Sequence, residues 1–315
     1  MFTLRPMKKD EWSQVSNLIY LSTNSWYEKN LGHGIFTGGP EVCELYCRVY
    51  EDLDPECCLV AVHKGNGMII GSCFYHPRET HVSLGIMNVH PNYFGDGVAS
   101  MLLERIIGFA EAQELPLRLV SSALNLDSFS LYTRHGFTPF ATYQDMTIAV
   151  PKKGLQLGDA DEDALSDLQL KRVREADLED VSGMGAVEFS ISGISRERDY
   201  CYFLENEESI WETLVYENED GEIDGFLISV NHPACNMLGP GVARTPEQAA
   251  ALIIAHLDHQ RGRSPVFLIP VDQPDLVSRM YALGAKNCEL HFGQVRGQAQ
   301  PIDGIVMPTF MPETG

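Results

Sequence analysis

Residues Val89 to Leu103 read VHPNYFGDGVASMLL. A proline, two glycines and the start of an apolar run fall within fifteen positions. Pro91 stops whatever strand ends at Val89, since it lacks the N–H that a strand ladder needs. From Gly97 onward the apolar residues Val98, Met101, Leu102, Ile106, Phe109 and Ala110 recur at helical spacing. The stretch therefore predicts strand, glycine loop, helix start. The first four amides of a helix have no intrahelical acceptor, carry partial positive charge and bind anions well. Gly95 and Gly97 have no Cβ, so a diphosphate could come close to the backbone there. A plain turn into a helix is the competing reading. Asp96 weighs on that side, because two unit charges ~6 Å apart at an effective dielectric of ~20 repel by about 3 kcal/mol before screening. Its carboxylate could point to solvent, or cap the helix and compete for the anion seat.

Working outward, the first 150 residues predict a β-α-α-β-β-β-α-β-α-β order. A strand covers Phe2–Pro6, helices cover about Asp10–Asn24 and Pro40–Leu53, and LGHGIFTGG is a glycine-rich loop between them. Residues 58–76 read as a hairpin about a Lys-Gly-Asn-Gly turn. A strand ends at Pro91, and a helix covers about Gly97–Gln113. Then come the strand LRLVSSAL, a short helix closed by Gly136, and a last strand, FTPFATYQDMTI. The start of this order repeats. FTLRPMKKDEWSQV from Phe2 and LQLKRVREADLEDV from Leu168 align Trp12 with Leu178 and Val15 with Val181. The expected organisation is a first domain over 1–150, a solvated linker over 151–165 and a second domain over 166–315.

Composition narrows the function classes. The 315 residues are 44% hydrophobic and 21% charged, with a net charge of −21. The first 150 residues carry 10 basic and 16 acidic side chains; the remainder carries 13 and 28. A field of that sign repels nucleic acid and anionic membrane surface, and favours a cationic or amine-bearing partner. No run reaches the ~20 apolar residues of a membrane helix, and MFTLRPMKKDEW has no apolar leader core. The eight cysteines form no CxxC pair, as expected for free thiols in a reducing cytoplasm. The scattered histidines predict no metal site.

A second stretch, NLDSFSLYTRHGF from Asn125 to Phe137, decides among the readings. Together the two stretches resemble the GNAT acyltransferase superfamily. Val89, Pro91, Gly97 and Ala99 stand in register with its first motif; Asn125, Ser128, Tyr132, Gly136 and Phe137 stand in register with its second. The resemblance covers about residues 1–150. It implies an α/β fold, a mixed, mostly antiparallel twisted sheet with helices on both faces and one splayed pair of parallel strands. It implies acetyl-CoA, or another acyl-CoA, as co-substrate. Met87 and Val89 would pair with the pantetheine arm, and the amides of Gly95, Asp96, Gly97, Val98, Ala99 and Ser100 would hold the diphosphate. Asn125 and Ser128 would line the far side, and Tyr132 would protonate the leaving thiolate. The acyl group would pass directly to an amine, on a small molecule or a peptide, with the protein a monomer or homodimer. The alternative is a catalytically silent member that binds or regulates.

The chain departs from that pattern at Phe94, at Asp96, where a basic or neutral residue is common, and on the strand before the loop. Phe94 stands where the family has Arg or Gln. The strand before the loop has no Glu to act as base, leaving His81, Ser83, Asn88 and His90 as polar candidates, with a water chain as the alternative. The loop SWYEKNLGHGIFTGG, with Trp26, Tyr27, His33 and Phe36, would line the acceptor or be an ordinary loop. The second half follows the same element order, but its glycine loop is missing. Thr245, Pro246 and Gln248 form a capping signature instead, and Glu247 brings a negative charge. This half reads as a degenerate GNAT-like domain, and Tyr281 in MYALGA as a packing residue.

Overall fold

The computed structural model describes residues 2–155 and 167–315, so most of the expected 151–165 linker lies outside the described residues. The described chain forms two compact units. One holds the residues up to Leu119 with Pro233–Cys235 and Phe310–Thr314. The other holds Val120–His232, Asn236–Thr309 and Gly315.

In the first unit, strands β1 (Phe2–Pro6), β2 (Cys58–His63), β3 (Ile69–Pro77) and β4 (Val82–Val89) pair antiparallel in that order. The start of β5 (Leu117–Ser122) runs parallel to β4. Helices α1 (Trp12–Leu31), α2 (Glu44–Leu53) and α3 (Val98–Ala112) cover the sheet. Consecutive strand residues point to opposite faces. Phe74 meets Tyr50 of α2 at 4.9 Å between ring centroids, and Tyr75 meets Phe109 of α3 at 5.1 Å. The two helices therefore lie on opposite sides of β3. Leu102, Leu103 and Ile106 of α3 are fully buried; each such side chain contributes about 1.5–3 kcal/mol.

Helix α1 runs seven residues past the expected end. Asn24 does not stop it, and Glu28 and Lys29 favour continuation. Gly32, at φ 80°, closes it in the left-handed conformation. Trp26 and Tyr27 thus lie on the helix and not in the loop that follows.

The second unit contains the end of β5, then β6 (Thr138–Thr147), β7 (Val173–Glu175), β8 (Trp211–Glu217), β9 (Ile223–His232), β10 (Cys235–Ala243), β11 (Val266–Pro270), β12 (Lys286–Arg296) and β13 (Ile305–Met307). Its helices are α4 (Leu126–Arg134), α5 (Val181–Ser192), α6 (Glu197–Glu205), α7 (Pro246–His259) and α8 (Pro274–Ala282), with a single turn at Asp167–Leu170. The strand order is β5-β12-β6-β11-β10-β9-β8-β7. β6 therefore lies between β12 and β11, two strands from the second half of the sequence. The β6–β12 ladder runs from Thr147↔Lys286 to Thr138↔Val295. β6 and β12 are the last strand of the first half and its counterpart in the second. The two halves of the sequence and the two compact units consequently divide the chain differently. Among the described residues no helix is long and apolar enough to cross a membrane.

Candidate active site

The geometry at β4 begins with a bulge. Cys73 pairs with Met87 and Tyr75 with Leu84, so β4 carries one extra residue across this step of its ladder with β3. A bulge bends its strand and increases the local twist. β4 and β5 share two registered pairs, Val82↔Leu117 and Ser83↔Arg118, both before the bulge. Beyond it, Met87, Asn88 and Val89 pair with β3 on one edge. Their other edge carries no strand among the described residues of this unit. The splayed parallel pair implied by the resemblance is thus present, and the bulge is its physical cause.

The loop after β4 has the expected form. His90 Nδ1 accepts from the Asn92 amide at 3.2 Å, and a short 3-10 turn covers Pro91–Tyr93. Gly95 and Gly97 take φ of 86° and 78°, the left-handed region where a Cβ is penalised. A Cβ at either would meet nothing within 4 Å, so both face open space. Gly97 is the residue before α3, and no side chain caps the helix. Asp96 is exposed and is not a cap, which removes the competition for the anion seat. Met101 is bonded to the Gly97 carbonyl at 3.1 Å, and the amides of Val98, Ala99 and Ser100 form the open first turn; the Asp96 amide, expected to join them, is instead bonded to the Tyr93 carbonyl at 3.3 Å. The Val98 side chain is buried against Gly71, where a Cβ would come within 2.6 Å of Val98 Cγ1. Val98 can offer a ligand only its backbone. Phe94 is 53% exposed and brings no charge to the loop.

Asn125 and Ser128 have a local role. Asn125 Oδ1 accepts from the Ser128 amide at 3.0 Å and caps α4. This bond explains the three-residue spacing without a ligand. Tyr132, on α4, is 8% exposed, with its ring 5.7 Å from Phe137. The Phe137 amide bonds back to the Tyr132 carbonyl at 3.1 Å, just after the left-handed Gly136. The Asn…Tyr…Gly-Phe spacing is therefore that of a capped helix with a glycine exit. Tyr132, Asn125 and Ser128 belong to the second unit, and Met87 to Ser100 to the first.

The loop after α1 is built on Asn24, which sequence reading did not single out. Its Oδ1 accepts from the Ile35 and Phe36 amides at 2.9 Å each, and its Nδ2 donates to the Phe36 carbonyl at 3.0 Å. Gly34 permits this approach, since a Cβ there would come within 2.8 Å of the Asn24 side chain. The bonds bury Phe36, which meets Tyr46 of α2 at 5.9 Å. Trp26 and Tyr27 are in edge contact at 5.1 Å, and His33 is exposed.

The four polar candidates for the base are otherwise engaged or poorly suited. His81 Nε2 donates to the Thr314 carbonyl at 2.8 Å, while its Nδ1 lies 3.0 Å from Thr80 Oγ1. Asn88 donates to Thr23 Oγ1 at 3.2 Å. His90 spends a nitrogen on its own loop. Ser83 is a buried hydroxyl.

The equivalent region of the second half differs at each point. β10 and β11 also share two parallel pairs, Met237↔Val266 and Leu238↔Phe267. Beyond them β13 pairs with β10, as Gly241↔Met307, Val242↔Val306 and Ala243↔Ile305. β9 holds the opposite edge, where the Arg244 amide bonds to the Asp224 carbonyl, so β13 occupies the side on which β10 and β11 diverge. Helix α7 then begins with a closed capping box. The Gln248 amide donates to Thr245 Oγ1 at 3.3 Å and the Thr245 amide to Gln248 Oε1 at 3.1 Å. Tyr281 is exposed and bonds to Gln144 at 2.9 Å.

Two further features were not anticipated. Asp145, Glu289 and His291 are the one group of metal-ligand types found among the described residues. His291 Nδ1 lies 2.8 Å from Asp145 Oδ1, and Ser122 donates to Glu289, so the members satisfy one another. A cavity of about 360 Å³ in the second unit is lined by residues including Leu170, Arg174, Asp258 and His259, and by none of the expected site residues. All eight cysteines are free thiols.

Comparison with known proteins matches these features. Residues 24–137 match the model of the Acetyltransferase (GNAT) family, and residues 193–298 match that of an Acetyltransferase (GNAT) domain. A search of curated proteins returned no match. Among solved structures, a proposed acetyltransferase from Pyrococcus horikoshii aligns with a TM-score of 0.74 at 15% identity, covering 100% of this chain and 96% of that one. A GCN5-related N-acetyltransferase from Sphaerobacter thermophilus aligns with a TM-score of 0.63 at 15% identity, covering 96% and 97%. A tandem GNAT protein from the clavulanic acid biosynthesis pathway aligns with a TM-score of 0.61 at 13% identity, covering 95% and 100%. At these identities the structural likeness is one of fold. With two family matches in succession and the bulged β4, glycine loop and α3 in place, the chain belongs to the GNAT acetyltransferase superfamily and carries two such domains in tandem.

Proposed function

We propose that the protein is an acyl-CoA-dependent N-acyltransferase that binds acetyl-CoA in its first half alone. The observation that carries this reading is the pairing of an unpartnered β4 edge with an uncapped, glycine-opened α3. The β4 backbone at Met87 and Val89 offers groups to the pantetheine amides. The amides of Gly95 and of Gly97 to Ser100, helped by the helix dipole, receive the diphosphate, while the Asp96 amide is spent on the Tyr93 carbonyl. In the second half the corresponding edge is taken by β13 and the corresponding amides by the Thr245 box, which supports a single acyl-CoA per chain.

An acceptor amine, on a small molecule or a peptide, attacks the thioester directly. The transition state then needs a proton for the departing thiolate, the role assigned to Tyr132. General acid help of this kind contributes roughly 10²–10⁴-fold. A second reading, a silent binding or regulatory member, draws on Phe94 standing in place of a cationic side chain.

Calorimetry with acetyl-CoA, followed by thiol release over a panel of primary amines, tests the proposal. Saturable binding at one site and turnover of at least one amine are expected. Tyr132→Phe should lower kcat by about 10²-fold and leave acetyl-CoA affinity unchanged. Binding without turnover supports the silent reading; absence of binding at millimolar ligand defeats both.

A further inference from the structure

The second unit has a cavity that acyl transfer does not use. It measures about 360 Å³, within the ~300–1,000 Å³ range of small-molecule pockets. Its floor is aliphatic. Leu214 of β8 and Ile254 of α7 are buried there, and Leu170, Val173 and Ala255 are half-buried around them. The floor is continuous with the core of this unit, since these side chains pack with Leu227, Leu252 and Leu257 in one cluster. Aliphatic groups that remain half-buried around a concave seat favour an apolar occupant, because covering them removes apolar surface from water.

The rim is acidic. Glu175, the last residue of β7, lines it and is exposed, and its carboxylate has no hydrogen bond or ion pair among the described residues. Asp258 of α7 is paired with Arg261 at 2.6 Å. His259 also lines the rim, and its Nδ1 lies 2.5 Å from Glu212 Oε1. Arg174 is the one lining residue among those described with a fixed positive charge, and that charge is spent. Its guanidinium bonds to both oxygens of Asp180, at 2.7 and 2.8 Å, and to Glu217 at 2.8 Å. Arg174 and Arg261 therefore stand against the carboxylates of Glu175, Asp180, Glu212, Glu217 and Asp258. The surplus is negative, in the half of the chain that carries 13 basic and 28 acidic side chains. Such a rim attracts cations and repels carboxylates and phosphates.

We propose that this cavity binds an amphipathic cation, a small organic ammonium whose apolar group lies on Val173, Leu214, Ile254 and Ala255 and whose charge sits beside Glu175. The proposal is independent of the acyltransferase reading. None of the lining residues belongs to the expected acetyl-CoA set, and the acidic rim is the opposite of a diphosphate seat. The seat offers charge and apolar contact and performs no covalent step. A quaternary ammonium, which no acyltransferase can acylate, therefore fits it as well as a primary amine does.

The test is calorimetry on the full chain with benzyltrimethylammonium, which carries both the cation and an apolar group. Saturable binding at one site is expected, about tenfold tighter than that of tetramethylammonium, which lacks the apolar group. The anion 3-phenylpropanoate, with a similar body and the opposite charge, should not bind. Glu175→Gln, on the exposed rim, should weaken benzyltrimethylammonium about fivefold. Ala255→Trp should fill the seat and abolish binding. Thermal unfolding checks that each variant is folded, and Glu175→Gln carries the test should the tryptophan not be accommodated. Absence of saturable benzyltrimethylammonium binding at millimolar ligand overturns the proposal. So does equal affinity for tetramethylammonium or for 3-phenylpropanoate, and so does wild-type affinity in a folded Glu175→Gln or Ala255→Trp. Each of these results leaves the acyltransferase reading intact, because that reading is tested with acetyl-CoA and the amine panel.

Discussion

β4 and β10 occupy equivalent places in the two halves, and their free edges met different fates. Each strand pairs in parallel with its neighbour for two residues and then diverges. Beside β10 the chain fills the gap with its own β13. Beside β4 nothing described in that unit fills it. The helix starts follow suit: Gly97 leaves α3 open, while Thr245 and Gln248 close α7. A splayed strand pair exposes a row of backbone donors and acceptors that must find partners. One fold satisfies them in two ways, with its own strand or, on our reading, with the amides of a cofactor. The difference teaches that one architecture, repeated within a chain, can leave a strand edge open in one copy and close it with its own strand in the other.

The sharpest way to break this contrast is Gly97→Glu. The left-handed φ strains any side chain, and the new carboxylate enters the anion seat. Acetyl-CoA binding is expected to vanish at millimolar ligand in calorimetry. Residual binding at half stoichiometry would mean that the second half also carries a site. Next in size is Ile305→Ala, on a β13 side chain that is 1% exposed. It should cost about 2–5 kcal/mol of stability by denaturant unfolding while the stoichiometry stays at one. A second acetyl-CoA appearing in this variant would show that β13 merely screens a working seat. The smallest expected effect is that of Thr245→Ala, about 1 kcal/mol for the lost cap, with acetyl-CoA affinity untouched. A change in affinity there would place the ligand in the wrong half.

Much of this was legible in the residues. The glycine loop, the α3 stripe and the Thr245 box are local signals, and the structure has each where the spacing put it. The Asn125…Phe137 stretch was legible as a pattern, but its geometry is that of a capped helix with a glycine exit, a constraint of the backbone first. Three things were hidden. The end of α1 depended on Gly32 and on Asn24 turning inward to serve the Ile35 and Phe36 amides. The fate of β6 and β12 depended on pairing between residues about 150 apart in sequence. The burial of Met311 and Thr314 in the first unit depended on MPETG, a stretch with no periodicity to read.

The sequence by itself determined the family, the order of the elements and which half opens its helix on glycine and which caps it. Those features rest on glycine conformation, proline punctuation and helix capping, which act over a few residues. Only the tertiary structure decided which strand each last strand joins, that β13 closes the β10 edge, and that the tail brings the Phe310 carbonyl to Tyr50 of α2. Such choices are set by which backbone groups remain unpaired once the sheets have formed, and no short stretch of chain carries that information.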